Sequence, residues 1–222
     1  MTVLALKDIN KIFGKGTAQV NALTNINFNA KKGELILIIG PSGSGKSTFL
    51  TIAGGLQTPT SGEVIINNKN IYNLTSKERE KIRLNNIGFI LQSYNLVPYL
   101  SVIDQFKLVN KFKKSGNLSR EKLDDLLELL EIKQLKNKFP DQLSGGQTQR
   151  VAIARAIYPN PSIILADEPT AALDSKRVKE VGELLSQLSK NKAVVVVTHD
   201  LRLEQYANVV YEIMDGKIKQ KL

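Results

Sequence analysis

Short apolar runs alternate with amphipathic stretches along most of the chain. The apolar runs predict β-strands at 3–13, 20–28, 34–39, 63–66, 87–91, 162–166, 193–198 and 208–214. The runs at 35–39, 162–166 and 193–197 are continuous rather than alternating, as expected for strands covered on both faces. Helical patterns lie between the runs, at 46–56, 146–158 and 175–190. Continuous strands that alternate with helices predict an α/β fold built on a parallel sheet.

The beginning and the middle of the chain depart from this pattern. The first strands alternate apolar and polar residues and are joined by the turn FGKGT at 13–17, which predicts an antiparallel flank. Residues 100–140 contain no strand-like run. Within them, 121–139 predicts one amphipathic helix with leucines at 123, 126, 127 and 130. We therefore expect a helical subdomain inserted into the α/β core.

Composition and charge narrow the function classes. The 222-residue chain has no cysteine, which excludes disulfides, zinc–thiolate sites and thiol catalysis. Its apolar runs are too short to span a bilayer, and Lys7 and Asp8 stand where a signal peptide needs apolar residues, so we expect a cytoplasmic protein. The net charge of +10 fits a nucleic-acid or anionic-membrane partner, but a solvated basic surface explains it equally well. The chain has no basic stripe interleaved with aromatic residues, which is the pattern typical of nucleic-acid binding.

The stretch GPSGSGKST at 40–48 follows an apolar run and precedes a helical pattern, the context that a phosphate-binding P-loop requires. Gly40, Gly43 and Gly45 allow a tight turn whose backbone N–H groups point at phosphate oxygens, and the helix start adds its positive dipole end. Lys46 is placed to reach the β- and γ-phosphates, and Ser47 to offer a hydroxyl to Mg²⁺.

Two acidic residues, Asp167 and Glu168, end the apolar run SIILA. Because successive side chains of a strand leave on opposite faces, we expect the two carboxylates to divide the work. Asp167 is assigned to Mg²⁺ and Glu168 to the attacking water as general base, with Pro169 holding Glu168 away from helical backbone angles. A solvated strand end is the plain alternative for such a pair, and the upstream glycine loop disfavours it.

Two further candidates, a histidine and a glutamine, also follow apolar runs. His199, the only histidine, comes after AVVVVT, and Gln92 ends IGFILQ. A lone histidine is usually structural, but its position at the edge where phosphates would gather suits a hydrogen bond to the γ-phosphate and the catalytic water. Gln92 suits water or Mg²⁺ positioning, although taken alone it is a weak signal.

A second glycine turn, LSGGQTQR at 143–150, opens another helical pattern. Ser144, Gly145 and Gly146 would offer a hydroxyl, free N–H groups and a helix dipole to an anion. The first loop already surrounds the phosphates from its own side, so the residues alone do not explain why the chain carries both.

With GPSGSGKST, Gln92, LSGGQ, ILADE, ALD and His199 in this order, the chain resembles an ABC-transporter ATPase subunit over essentially its whole length. The resemblance implies one domain over 1–222, in which 1–92 and 159–222 form an antiparallel β subdomain and a RecA-like core. Residues from about 93 to 158 would form the helical subdomain with the signature helix. ATP and Mg²⁺ are the implied ligands.

The resemblance also implies the role of each motif. Phe13 would stack on adenine, Gln92 would be the Q-loop residue, and Asp174 the D-loop residue. The implied catalytic residues are Glu168, His199, Gln92 and Lys46, and the implied metal ligands are Ser47, Gln92 and Asp167. The nucleotide would also contact Gly40, Pro41, Ser42, Gly43, Ser44, Gly45, Lys46, Ser47 and Thr48. The signature, Leu143, Ser144, Gly145, Gly146 and Gln147, would cap the ATP of a second copy in a head-to-tail dimer.

Finer matches at 53–64, 83–102 and 150–175 look like the macrolide-exporter and lipoprotein-release branch, which includes antimicrobial-peptide exporters and a cell-division ATPase. Members pair with a separate membrane subunit, and 93–102 is where we expect it to dock, at the cytoplasmic face of the membrane. Phe13 stands where many relatives have tyrosine, and Thr148 replaces a commoner Gln or Lys.

Other classes explain less of the sequence. A soluble ABC ATPase acting on DNA or ribosomes would carry a long coiled coil between the motifs or two cassettes in one chain, and neither is present here. A P-loop kinase or GTPase would not explain LSGGQ, and the chain has no NKxD guanine motif.

Overall fold

Ten strands and six longer helices make up the chain, for which a computed structural model describes residues 1–221. The strands are β1 (Thr2–Phe13), β2 (Val20–Lys31), β3 (Leu35–Ile39), β4 (Ser61–Ile66), β5 (Lys69–Asn70), β6 (Ile87–Ile90), β7 (Ile163–Asp167), β8 (Ala193–Val197), β9 (Val209–Met214) and β10 (Lys217–Gln220). The α-helices are α1 (Lys46–Ala53), α2 (Ser76–Asn86), α3 (Val102–Phe112), α4 (Arg120–Leu129), α5 (Gly145–Ile157) and α6 (Ser175–Ser189). None of the helices within 1–221 has both the length and the apolar character needed to cross a bilayer.

The central sheet has six strands in the order β10-β9-β3-β8-β7-β6. All neighbouring pairs from β9 to β6 are parallel, and only β10 runs antiparallel, to β9. Every residue of β3, β7 and β8 is buried. The predicted parallel α/β core is confirmed, and the continuous apolar runs reflect strands covered on both faces.

A second, four-stranded sheet has the order β2-β1-β4-β5, and each of its pairs is antiparallel. This confirms the antiparallel flank predicted from the alternating first strands. All eight predicted strands are present, within a few residues of the predicted bounds. Strands β5 and β10 were not predicted, because they are short and mostly exposed and so lack a continuous apolar run.

Two hydrophobic cores lie on opposite faces of the central sheet, because successive strand residues point to opposite sides. Leu37 belongs to the core that contains the apolar faces of α3, α4, α5 and α6. Its neighbour Ile38 belongs to the core that contains α1 and the apolar side of the antiparallel sheet. The central sheet therefore joins the helical part of the chain to the antiparallel flank.

The single helix predicted over 121–139 is wrong. Helix α4 ends at Leu129, and only 3₁₀ turns at Lys133–Leu135 and Pro140–Gln142 follow. Glu131 adopts a left-handed φ of 53°, and the N–H of Ile132 turns back to donate to the Leu127 carbonyl at 2.9 Å. This reversal ends the helix and buries Ile132 in the core, so the apolar spacing continues although the helix does not.

Helix α2 was missed by the sequence analysis for a different reason. It has no buried residue, so it shows no apolar stripe for a periodicity argument to find. Its start is fixed by a capping box, in which the Thr75 hydroxyl accepts from the Glu78 N–H and the Glu78 carboxylate accepts from the Thr75 N–H.

The packing of α4 predicts a large difference between two of its leucines. Leu127 is fully buried, so we expect Leu127→Ala to lower the free energy of unfolding by about 2–5 kcal/mol, measured by urea denaturation. Leu129 is exposed on the same helix, and Leu129→Ala should change the free energy of unfolding by less than about 0.5 kcal/mol. Equal effects of the two substitutions would contradict the orientation of this helix.

Candidate functional site

The carboxyl ends of four neighbouring parallel strands meet at one edge of the central sheet. The ends of β3, β8, β7 and β6, together with the residues just after them, carry the glycine loop, His199, the Asp167–Glu168 pair and Gln92 respectively. They surround a cavity of about 590 Å³. Its lining consists of Ala22, Ser42, Gly43, Gly45, Lys46, Ser47, Thr48, Gln92, Asp167, Glu168 and His199. Residues that are far apart in sequence are therefore brought to the edge where ligands of open α/β sheets bind.

The glycine loop needs glycine at two positions for different reasons. Gly45 immediately precedes α1 and has a φ of 105°, a left-handed backbone conformation that residues other than glycine rarely adopt. Gly40 lies so close to the neighbouring strand that an added Cβ would stand 2.1 Å from the carbonyl oxygen of Ile213. The loop is thus held tightly against β9 while the free N–H groups at the start of α1 face the cavity.

Lys46 and Ser44 are the two buried polar residues of the glycine loop. The Lys46 side chain is buried, and its Nζ donates to the carbonyl oxygens of Gly40 at 2.7 Å and Pro41 at 2.9 Å. The buried Ser44 Oγ has no hydrogen-bond partner within residues 1–221. Buried polar groups are normally paired, so an unpaired hydroxyl in this loop fits a site that is completed by an anion.

Asp167 lies at the cavity floor, at the last position of β7. Burial raises the pKa of its carboxyl group, and the nearby charge of Glu168 raises it further. A hydrogen bond with Ser47 and the charge of Lys46 act in the opposite direction on the same pKa. Ser47 and Asp167, from the loop and from the strand end, therefore meet as the sequence predicted for an oxygen-ligand pair.

Glu168 is fixed by contacts from the neighbouring strand end. It lies beyond the end of β7 with a left-handed φ of 49°, so strand alternation does not separate it from Asp167, and both side chains line the same cavity. The expectation of opposite strand faces was wrong, because the strand ends one residue too early. Thr198 Oγ1 donates to Glu168 Oε2 at 2.6 Å, and the backbone N–H of His199 donates to Oε1 at 3.1 Å.

His199 adds a ring contact to the same carboxylate. Its Nδ1 lies 2.8 Å from Glu168 Oε1, while the ring is largely exposed at 74% and the carboxylate is only 11% exposed. Glu168 is thereby oriented by two residues of the adjacent strand end and is accessible from the cavity. Gln92 also reaches the cavity, two residues after β6 ends at Ile90.

The second glycine turn does not line this cavity. Ser144 caps α5 in a capping box, in which its Oγ accepts from the N–H of Gln147 and its own N–H donates to Gln147 Oε1 at 2.9 Å. Ser144 and Gly145 are exposed, whereas Gly146 packs next to the loop that leads into α6, where an added Cβ would lie 3.4 Å from the carbonyl oxygen of Ala172. The turn is therefore capped, exposed at Ser144 and Gly145, and outside the cavity of its own phosphate loop.

Other predicted residues lie outside the cavity lining. Phe13 is partly exposed at the end of β1, with the Lys11 ammonium 5.0 Å from its ring centroid, and its stacking role stays a prediction. Asp174 caps α6 and accepts from the N–H of Arg177 at 3.0 Å. That backbone hydrogen bond, followed by the bond from the Arg177 guanidinium, lowers the pKa of Asp174.

The structure also shows contacts that the sequence analysis did not identify. Gln149 is buried behind the site, where its amide donates to the Glu168 carbonyl at 3.3 Å and its Oε1 accepts from the Ala172 N–H at 3.2 Å. Ala22 lines the cavity from β2. Alanine and glutamine occur throughout proteins, so neither residue predicts a role from its type alone. For Gln149, its position on the helix that follows the signature turn was the only sequence feature that pointed to the site.

Comparison with known proteins places the chain in a family. The ABC transporter family profile matches residues 23–171. The putative hemin import ATP-binding protein HrtA of Staphylococcus haemolyticus is 48% identical over 223 residues, covering 97% of this chain and 99% of that protein. The uncharacterized ABC transporter ATP-binding protein MJ0796 of Methanocaldococcus jannaschii is 44% identical over 226 residues, covering 99% and 96%. The chain belongs to the ABC transporter family as an ATP-binding subunit, and it is an ATPase of that type.

Solved structures agree with this assignment. A dimeric, post-hydrolysis structure of the ATP-binding cassette MJ0796 bound to ADP and Pi superimposes with a TM-score of 0.91 at 43% identity, covering 98% of this chain and 97% of that one. A nucleotide-free cassette from another ABC transporter gives a TM-score of 0.77 at 26% identity. The predicted ABC ATPase fold is confirmed.

Proposed function

We propose that two copies of this chain associate head to tail, with each ATP held between the glycine loop of one copy and the signature turn of the other. The observation that carries the proposal is the position of Ser144 and Gly145, which form an exposed helix start outside their own chain's cavity. Such a start offers a hydroxyl, N–H groups and a dipole to an anion. The dimeric structures of MJ0796 support this arrangement.

The glycine loop binds the phosphates in this proposal. Its N–H groups and the α1 start surround the phosphate oxygens, and Ser44 supplies the hydroxyl that has no partner in 1–221. Lys46 exchanges its bonds to the Gly40 and Pro41 carbonyl oxygens for bonds to the β- and γ-phosphates. The remaining predicted contacts, Ser42, Gly43, Gly45, Ser47 and Thr48, line the same cavity.

The donor set around Asp167 fits Mg²⁺. The Ser47 hydroxyl, the Asp167 carboxylate and the Gln92 amide oxygen are hard oxygen ligands on one cavity, and Mg²⁺ is commonly held by one or two carboxylates together with substrate phosphates. When bound there, the ion would neutralise charge that develops on the phosphates. The raised pKa of Asp167 reflects a buried carboxylate that a cation would stabilise in its charged form.

Glu168 is the general base in this proposal. Two residues of the adjacent strand end hold its carboxylate in place, and its left-handed backbone aims it into the cavity together with His199. Backbone strain at a residue fixed by so many contacts is a recurrent property of functional sites. His199 is then placed to hydrogen-bond the γ-phosphate and to keep the base oriented.

We expect Glu168→Gln to bind ATP normally, to hydrolyse it about 100-fold more slowly or worse, and to accumulate as an ATP-bound dimer, because only the base is lost. Sedimentation with and without ATP, together with phosphate release, measures both effects. A monomeric mutant in saturating ATP, or one with normal turnover, would contradict the role of Glu168.

A mixing experiment tests whether the signature turn acts across the dimer. Lys46→Ala loses the phosphate-binding cation and Ser144→Arg blocks the turn, so each variant alone should be inactive. A mixed dimer contains one site with both residues intact, and we expect ATPase activity to reappear on mixing. Activity that stays absent at every mixing ratio would argue for a signature that acts within one chain.

A separate membrane subunit is the proposed partner, docked at the cytoplasmic face. A groove of about 450 Å³ lies between α2, β6, α3 and α5, with Leu108, Phe112 and Arg155 in its lining. Arg155 also donates to the carbonyl oxygens of Asn95 at 2.5 Å and Tyr94 at 2.7 Å, just after Gln92. An element bound in the groove would therefore contact Arg155, which is bonded to the segment 93–102 where docking was expected. That segment directly follows Gln92, which lines the cavity.

Phe112 provides a test of this docking. It is 71% exposed at the groove, so Phe112→Asp should abolish co-purification of the chain with its membrane subunit while leaving ATP binding intact. Leu129→Asp is the matched control, an exposed apolar residue of α4 outside the groove lining. Loss of co-purification in both variants, or in neither, would contradict docking in the groove.

Within the family, the stretches at 53–64, 83–102 and 150–175 favour the macrolide-exporter and lipoprotein-release branch, with export or mechanical work in the envelope as the output. Regulation of cell-envelope or cell-division machinery is the alternative within the same branch. The staphylococcal relatives, described as putative hemin import proteins, favour hemin as a second candidate cargo. Identifying the co-purified membrane subunit distinguishes these assignments, because the cargo site lies in that subunit.

A further inference from the structure

Glu131 has a backbone conformation that its side chain does not favour. It follows α4 with a left-handed φ of 53°, a region where glycine is the usual residue after a helix. The reversal itself needs only the backbone, because the N–H groups of Glu131 and Ile132 make the closing bonds to the carbonyl oxygens of Glu128 and Leu127, each at 2.9 Å. A carboxylate at this position therefore serves something other than the end of the helix.

The Glu131 carboxylate lies between two arginines from different elements. Its Oε2 lies 3.3 Å from an Arg150 guanidinium nitrogen on α5 and 3.5 Å from an Arg177 guanidinium nitrogen on α6. Its Oε1 lies 4.0 Å from the Lys176 ammonium. The negative charge thus joins the end of α4 to the second turn of α5 and the first turn of α6.

Each arginine is bonded to a residue of one of the predicted motifs. Arg150 donates through Nε to the carbonyl oxygen of Gly146, in the signature turn, at 3.3 Å. Arg177 donates to the carboxylate of Asp174, the predicted D-loop residue. The two motifs are also in contact, since an added Cβ on Gly146 would lie 3.4 Å from Leu173.

We propose that Glu131 is a positioning residue, whose carboxylate fixes the signature turn and the Asp174 loop relative to each other through Arg150 and Arg177. The inference rests on the head-to-tail dimer proposed above, in which the signature turn faces a second copy and the Asp174 loop lies directly beside that turn. Pre-ordering the two motifs lowers the conformational entropy lost when the second copy binds.

Burial explains why Arg150 depends on this charge. Its side chain is only 6% exposed, and an unpaired buried cation is strongly unfavourable. Without the carboxylate, the guanidinium gains by moving toward water, which releases the Gly146 carbonyl. Arg177 keeps its hydrogen bond to Asp174 but loses its ion pair with Glu131, so the two motifs are no longer linked through the Glu131 side chain.

The test measures the ATP concentration that gives half-maximal dimerisation in the Glu168→Gln background, by sedimentation of the full chain. Glu131→Gln removes the charge and keeps the side-chain shape, and Glu131→Gly removes the side chain and relieves the left-handed backbone. Both should raise this ATP concentration, by about 3- to 10-fold for the loss of a partly exposed ion-pair network. Glu128→Gln is the matched control, because the Glu128 carboxylate on the same turn pairs with Lys133 at 2.7 Å instead.

Two further readouts separate positioning from stability. Glu131→Gly should lose less thermal stability than Glu131→Gln, since glycine suits the left-handed backbone and offsets part of the cost of leaving Arg150 unpaired. The ATP affinity of the monomer, measured below the dimerising concentration, should not change, because Glu131 does not line the cavity. Weaker dimerisation in both variants, without regard to which one is the more stable and with nucleotide affinity unchanged, is the result expected of a positioning residue.

The possible results separate the two proposals. If both Glu131 variants dimerise at the parent's ATP concentration, or if only Glu131→Gln is weakened, the positioning role is overturned while the dimer stands. An equal shift in Glu128→Gln would also overturn it, because the effect would then be one of general charge. A Glu168→Gln parent that never dimerises would overturn the head-to-tail dimer and the role of Glu131 with it.

Discussion

The parallel alignment of β3, β8, β7 and β6 is the constraint on which the site depends. Because these strands run in one direction, their carboxyl ends lie at a single edge, and whatever follows each strand enters the same cavity. The buried, continuous apolar runs fix the strands, and the two cores on either side fix the sheet. Chemistry is thereby confined to the short segments after the strands, where exposed polar residues cost the fold little.

The site residues are held by contacts between adjacent strand ends rather than by their own elements. Glu168 shows this most clearly, since its backbone is left-handed and its carboxylate is bonded by Thr198 and His199 from the next strand. A carboxylate that is oriented before substrate arrives needs no reorganisation during the reaction. The same logic applies to Glu131, where a left-handed backbone again accompanies a carboxylate shared between elements.

Patterns that report burial were predictable from the sequence, and features set by local backbone reversals were not. The strands of the central sheet followed from continuous apolar runs, and the glycine loop from its position between a strand and a helix. The helix predicted over 121–139 failed at Glu131, because apolar spacing records which side chains are buried and not whether the backbone between them stays helical. Helix α2 was invisible to the same method, since none of its residues is buried. For the site, Gln92, Asp167, Glu168 and His199 were all expected near the phosphates and all line the cavity, whereas the buried Gln149 behind them gave no signal.

The two glycine turns differ in their surroundings, and this difference fits the proposal that they belong to two different composite sites. The first turn lines the cavity, with Gly40 close against β9 and a buried Ser44 hydroxyl that has no partner within residues 1–221, so it forms a cradle that a phosphate completes. The second is a capped helix start whose outer residues, Ser144 and Gly145, are exposed and whose inner residue packs against the Asp174 loop. A helix start binds an anion weakly while water competes from the open side, and it becomes effective when another surface excludes that water. In the proposed head-to-tail dimer, the second turn would close a site that a different copy opens, and the ion pairs behind it would hold it in the shape that closure requires.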